Sequence, residues 1–146
     1  MNSLQANAAF NALFNQMNGI YHEYVKQYNL TECQFWILYA LNAEDRPLTQ
    51  SELQNYIIIP KQTIHSAILK MIENKLITLK EKTGNRKFFI LTEKGKLLSQ
   101  RTVKKVIQKE ISVFDAFTTE ERKMLIHLFS KYIQLLEGET NEDTII

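Results

Sequence analysis

A single cysteine, Cys33, stands in this 146-residue chain. That excludes an internal disulfide and a metal site built on cysteines, and it makes a reducing cytoplasm the expected setting. Four glycines and two prolines are too few for flexible linkers or low-complexity tracts, and no internal repeat is visible. No run approaches the roughly 18 apolar residues of a membrane span. The first residues show no basic start followed by an apolar core, so no secretory signal is expected. Paired acids, an activated nucleophile and a glycine-rich phosphate loop are all missing, so neither an enzyme nor a cofactor is expected. His22, His65 and His127 fall on three different expected helices without metal-ligand spacing, so no metal site is expected either.

What is present is ordinary in bulk. With 45% hydrophobic and 23% charged residues, the chain fits one domain, 1–146, with enough length to bury a core. The net charge of +2 hides an asymmetry: residues 61–105 hold twelve Lys/Arg against three acids, or +9, and the remainder carries −7. Positive charge gathered on one stretch suits a polyanion; a solvated lysine-rich face is the plain alternative.

Three capping boxes mark helix starts. Thr31-x-x-Gln34, Thr49-x-x-Glu52 and Thr118-x-x-Glu121 each pair a hydroxyl with an orphan amide and a side chain with the cap's own N–H. Before the first box, apolar residues from Phe10 to Tyr28 recur at steps of three and four, which predicts a helix over about Leu4–Tyr28 with more apolar stripe than one small core needs. The second helix carries Phe35, Trp36, Leu38, Tyr39 and Leu41 and should be largely buried. It ends at Glu44-Asp45-Arg46-Pro47. A short helix follows, from Thr49 to about Tyr56.

The β-branched run Ile57–Ile59 ahead of Pro60 forces a turn, and Pro60 suits the first turn of a new helix. From Lys61 to Asn74, Ile64, Ala67, Ile68, Met71 and Ile72 form its apolar side. The other side shows Gln62, His65, Ser66 and Lys70, flanked by Lys61 and Thr63, with no carboxylate before Glu73. Amide, hydroxyl and imidazole groups read base edges in the major groove, with lysines at the margin for phosphates. An ordinary surface helix is the alternative, though such helices usually mix Glu with Lys at i,i+4.

After Lys75 the period changes to that of strands. Ile77–Lys80 and Lys87–Leu91 are β-prone, and Thr83-Gly84-Asn85-Arg86 between them suits a hairpin loop. Lys80, Lys82, Arg86 and Lys87 line the hairpin, a wing for phosphates or the minor groove. Thr92 then caps one long helix from Glu93 to about Ala116, basic in its first half, with Leu97, Leu98, Val103, Val106, Ile107, Ile111 and Phe114 on its apolar side. A last helix carries Leu125, Leu128, Phe129, Tyr132, Leu135 and Leu136. It is expected to stop at Gly138 and leave a frayed acidic remainder to Ile146. Cys33, near the start of a buried helix and without a histidine or cationic neighbour, reads as a structural thiol, with a redox role as the alternative.

The order of these elements resembles the MarR family of bacterial winged-helix transcriptional regulators. The matching residues are Leu30-Thr31-x-x-Gln34-Phe35, Leu48-Thr49-Gln50-x-Glu52-Leu53, Lys61-Gln62-Thr63-Ile64 at the start of the recognition helix, and Leu91-Thr92-Glu93-Lys94-Gly95 closing the wing. One departure is the wing tip: the family's Asp-x-Arg motif is replaced by the shorter Thr83-Gly84-Asn85-Arg86, which leaves Arg86 for the minor groove. The resemblance implies a mainly α fold. In it, residues of about 30–92 form a winged-helix DNA-binding lobe with a small β-hairpin wing, and about 4–28 and 93–137 form dimerisation helices. It also implies a homodimer on a pseudo-palindromic operator, with recognition helices in successive major grooves. Small aromatic effectors of that family bind near the first two helices, where Tyr21, Tyr24, Tyr28, Trp36 and Tyr39 cluster here; core packing explains those rings equally well.

The sequence thus predicts a homodimeric regulator of double-stranded DNA, a repressor rather than an activator, released by a small-molecule effector if it has one. Its DNA-binding residues are Lys61, Gln62, Thr63, His65, Ser66, Lys70, Lys82, Asn85, Arg86 and Lys87. The alternative is a winged helix used as a protein-interaction module, with its basic face docked on an acidic partner.

Overall fold

The computed structural model describes residues 1–140, and the chain divides into two compact units, one from Met1 to Ile107 and one from Gln108 onward. In the first, α1 (Ser3–Gln27) runs unbroken through Gly19 and ends at Asn29, whose left-handed backbone (φ 54°) turns the chain. The Leu30 and Asn29 amides bond back to the Val25 and Lys26 carbonyls, the Schellman pattern that satisfies the last carbonyls of a helix. The first of the three capping boxes then opens α2 (Glu32–Glu44), with Thr31 and Gln34 bonding reciprocally. Phe35, Leu38 and Leu41 are buried as expected, together with Cys33, Ile37 and Ala40, whereas Trp36 and Tyr39 are half-buried at the edge of the core.

Leu48 and Thr49 form a two-residue strand, β1, which the sequence reading did not anticipate; it took them only as the entry to a helix. Thr49 still caps α3 (Gln50–Leu53) through the second box, and a 3₁₀ turn, Gln54–Tyr56, follows. After the turn at Ile57–Pro60, α4 (Lys61–Glu73) buries Ile64, Ile68 and Met71 against α2. A second Schellman turn closes it, this time with Lys75 in the left-handed position (φ 59°).

The wing is an antiparallel hairpin of β2 (Ile77–Thr83) and β3 (Arg86–Leu91), with β1 on the outer side of β3. Its strands run further toward the tip than the sequence suggested, leaving Gly84-Asn85 as a two-residue loop. Gly84 alone of these two takes positive φ (62°), as in a II′ turn. The register slips at Lys80, between Leu79↔Phe89 and Glu81↔Phe88, so Lys80 is the extra residue of a bulge.

Thr92 caps α5 (Glu93–Arg101) and ties it to the end of α4, its hydroxyl donating to the Lys75 carbonyl at 2.5 Å. The single long helix expected from Glu93 to Ala116 is interrupted: Thr102 leaves helical geometry (φ −129°, ψ −99°) and α6 (Val103–Asp115) begins after it. The cause lies in buried hydroxyls that bond back into the preceding turn. Ser99 donates to the Gly95 carbonyl and Thr102 to that of Leu98, both at 2.8 Å, a habit that bends helices. Asn42 of α2 locks the bend by donating to Ser99 Oγ at 2.8 Å. Val103 and Val106 then close the core of the first unit.

In the second unit the rest of α6 leads to α7 (Thr119–Thr140), opened by the third box, Thr118 with Glu121. Arg122 fixes the turn between them, its Nε donating to the carbonyls of Phe114 (2.6 Å) and Phe117 (3.1 Å). The helix does not stop at Gly138 but passes through it to Thr140. A helix-interior glycine costs only about 1 kcal/mol, too little to end a long helix by itself. The expected fraying of the tail falls mostly on residues outside the described part.

Candidate nucleic-acid interface

The amino-terminal end of α4 is unusual for a helix in this chain. Its cap, Pro60, has no side chain to bond the first amides, and no acid stands in the first turn. The positive end of the helix is therefore left for an external anion. Lys61, Gln62, Thr63, His65, Ser66 and Lys70 are all exposed on its outer side, as the spacing required. Leu69, 54% exposed, shares that side; it was read over in the sequence because one leucine among polar residues breaks no pattern.

The wing brings its cations close together. Lys82 and Lys87 are direct cross-strand partners, and Thr83 faces Arg86 beside them. Like charges placed opposite one another destabilise a hairpin, so this pair is explained by a use outside the fold rather than by stability. Arg86 stacks over the Phe88 ring at 5.3 Å, which holds the guanidinium against the wing's aromatic. Among the described residues, none of Lys61, Lys70, Lys82, Arg86 and Lys87 takes part in an ion pair.

A groove of about 560 Å³ lies between α4 and the wing. His65, Leu69 and Ile72 form one wall, Leu79, Asn85, Arg86, Lys87 and Phe89 the other, and Gln50 and Ser51 of α3 close one end. Four of the expected residues, His65, Asn85, Arg86 and Lys87, thus meet in one place. Lys61, Gln62, Thr63, Ser66, Lys70 and Lys82 lie on the same elements outside the lining. Gln50 was missed by sequence reasoning, which saw it only inside a capping motif; no one-dimensional signal ties it to a helix eleven residues on. Its amide Nε2 donates to the Lys61 carbonyl (3.1 Å) and its Oε1 sits 3.3 Å from His65 Nδ1.

Behind this face a polar clamp sets the spacing of α2 and α3. Arg46 contacts Glu52 at 2.9 Å and Glu44 at 3.5 Å, and the Tyr56 hydroxyl donates to Glu44 at 2.5 Å. The Thr49 amide, donating to Glu52, and then Arg46 hold the Glu52 carboxyl below the usual carboxylate range. Burial and the bond to Glu44 push the Tyr56 phenol up to about 12.

The expected effector rings are only partly one surface. Tyr24, Tyr21, Trp36, Tyr39 and Tyr56 form a continuous chain of ring contacts with centroids 5.2–6.2 Å apart, while Tyr28 packs half-buried on the core. Beside the chain a shallow cavity of about 460 Å³ is lined by Asn18, Gly19, Tyr21, Trp36 and the hydrogen-bonded His22 and Glu32 (2.9 Å). Cys33 is buried, and burial, then the neighbouring Glu32, raises its thiol pKa, the reverse of what a reactive thiolate needs. Among the described residues no group of side chains could hold a metal ion, and no helix is long and apolar enough to cross a membrane.

Comparison with known proteins agrees with this geometry. Residues 30–95 match the family model of a winged helix DNA-binding domain. An uncharacterized HTH-type transcriptional regulator of Bacillus cereus is 30% identical over 118 residues, covering 80% of this chain and 79% of that one. Among solved structures, a MarR family regulator from Neisseria meningitidis superposes with a TM-score of 0.81 over 99% of this chain and 100% of its own, at 21% identity. Staphylococcus aureus MepR, solved as a complex with DNA, gives 0.69 over 93% and 99% at 20% identity.

Proposed function

The chain belongs to the helix-turn-helix transcriptional regulators, with the winged-helix fold of MarR family proteins, and from that premise we propose that it is a homodimeric repressor of a pseudo-palindromic operator. The observation that carries the reading is the groove. His65 from the carboxylate-free face of α4 and Arg86 and Lys87 from the wing line it together, with the other expected contacts on the same two elements beside it, one side suited to base edges and the other to phosphates. Gln62, Thr63, His65 and Ser66 read bases; Lys61, Lys70, Lys82, Asn85, Arg86 and Lys87 contact phosphates or the minor groove. Exposed apolar residues on α1 (Leu13, Met17, Ile20) and α7 (Leu125, Leu128, Leu135) support a dimer built from the first and last helices. A small aromatic effector bound at Tyr21 and Trp36 is the proposed release signal.

The test is binding to the duplex upstream of the protein's own gene, beside a scrambled duplex of equal length, at two salt concentrations. Selective binding is expected, falling by roughly 10³–10⁵ between about 50 and 200 mM salt if six to ten phosphates are contacted. Equal affinity for both duplexes would shift the reading to a basic face that docks an acidic protein.

A further inference from the structure

Gln50, the first residue of α3, reaches across to α4 with both ends of its amide. Its Nε2 donates to the Lys61 carbonyl at 3.1 Å, and its Oε1 lies 3.3 Å from His65 Nδ1. A carbonyl oxygen only accepts hydrogen bonds, so the NH₂ end of the amide must face Lys61. That leaves the amide oxygen toward the imidazole, and it too only accepts. Nδ1 therefore carries the proton, and in a neutral ring Nε2 is then the acceptor. His65 is exposed on the groove wall, and its Nε2 has no protein partner among the described residues.

We propose that Gln50 is a positioning residue for base readout: it holds His65 in the Nδ1–H tautomer, so that α4 presents Nε2 as an acceptor and selects an amino base over a keto base. The inference rests on reading α4 as the helix that enters the major groove. There adenine N6 and cytosine N4 are donors, while guanine N7 and O6 and thymine O4 are acceptors. The opposite tautomer would reverse the choice. Because Gln50 is uncharged, it sets the tautomer without favouring the imidazolium, as a carboxylate in its place would.

Two measurements test this, both at mildly alkaline pH on the full chain. The first is a long-range ¹⁵N correlation spectrum of the histidine rings without DNA, with His65 assigned by loss of its signal in His65→Ala. A protonated Nδ1 and an unprotonated Nε2 are expected, and Gln50→Leu should move the ring toward Nε2–H. The second is affinity across operator duplexes changed one base pair at a time. At one position per half-site, adenine or cytosine should be preferred by roughly 2- to 10-fold, the worth of one hydrogen bond. Gln50→Leu should reduce that preference to near unity with other positions unchanged. Gln50→Glu still offers Nδ1 an acceptor but favours the imidazolium, whose Nε2 is a donor, so it should keep the preference only where the pH leaves the ring neutral. In a His65→Ala background, Gln50→Leu should change selectivity no further.

A wild-type ring protonated at Nε2 would overturn the proposal. So would a Gln50→Leu effect that persists without His65, since Gln50 would then be reading DNA itself. If the wild-type protein shows no selective DNA binding at all, base selection fails together with the function proposed above. The tautomer spectrum stands apart from that outcome and tells the two failures from each other.

Discussion

At the scale of single residues, the most constrained position is one that carries no side chain. A Cβ at Gly95 would lie 2.0 Å from the Leu76 carbonyl oxygen and 3.0 Å from its carbon. The obstacle is backbone, fixed from the other side by the Thr92 amide, which donates to the same carbonyl at 3.1 Å. Gly95→Ala should therefore destabilise the protein by about 1–3 kcal/mol, the range for forced overpacking. It should be seen as a lower urea midpoint at unchanged slope; an unaltered midpoint would mean that the joint between α5 and the wing yields freely. Lys75 is the converse case, a long side chain in the left-handed position (φ 59°) where its backbone is what is used, the amide donating to Ile72 and the carbonyl accepting from Thr92. Lys75→Gly relieves that conformation and should raise stability by about 1 kcal/mol, read by the same urea titration.

At the scale of elements, the helix starts were legible and some of the interruptions were not. Each capping box named both of its partners within four residues, and all three formed with the expected bonds. Strand β1 was invisible because its pairing partner lies forty residues away in the wing. The bend at Thr102 was invisible because it depends on Asn42 reaching Ser99 across 57 residues. For the same reason the face of α4 could be read from its spacing, while the contact that orients His65 could not. The second box also carries a pH dependence. Bonds from Thr49 and Arg46 depress the Glu52 carboxyl, so its contribution is complete above the ordinary glutamate range near about 4.3 and is lost as pH falls through the depressed value. Glu52→Gln should flatten the stability–pH profile over that acid window while leaving the neutral-pH fold intact; an unchanged acid limb in denaturation scans would show that the box is not electrostatic. The division of labour between α4 and the wing is checked the same way. Lys82→Ala should weaken all duplexes alike and reduce the salt slope by about one per protomer, whereas Gln62→Ala should relax one operator position by about 1–3 kcal/mol. Indistinguishable profiles across an operator panel would rule that division out.

At the scale of the whole molecule, the unanswered quantity is apolar surface. Within the second unit Leu125 (44% exposed) and Leu128 (54%) stand on the stripe of α7 that the sequence singled out, and no residue of that helix whose side chain is described is buried within the chain. Monomers rarely leave contiguous apolar surface of that kind in water, and a second copy supplies a cover of matching chemistry. The proposed dimerisation would also answer a problem of affinity, because one α4 and one wing would meet only one half of the proposed pseudo-palindromic operator. Linking two half-sites raises avidity by about 10²–10⁴ without any new contact. Leu128→Glu, alone or with Leu125→Glu, places unpaired carboxylates on that stripe without touching α4 or the wing. It should halve the mass seen in sedimentation and cut operator affinity by about that factor, while the winged lobe keeps its fold and its preference among half-site sequences. A variant that stays dimeric would place the interface elsewhere on the chain. A variant that becomes monomeric yet binds the full operator as tightly as before would show that a single lobe suffices, and that the exposed stripe serves some other partner.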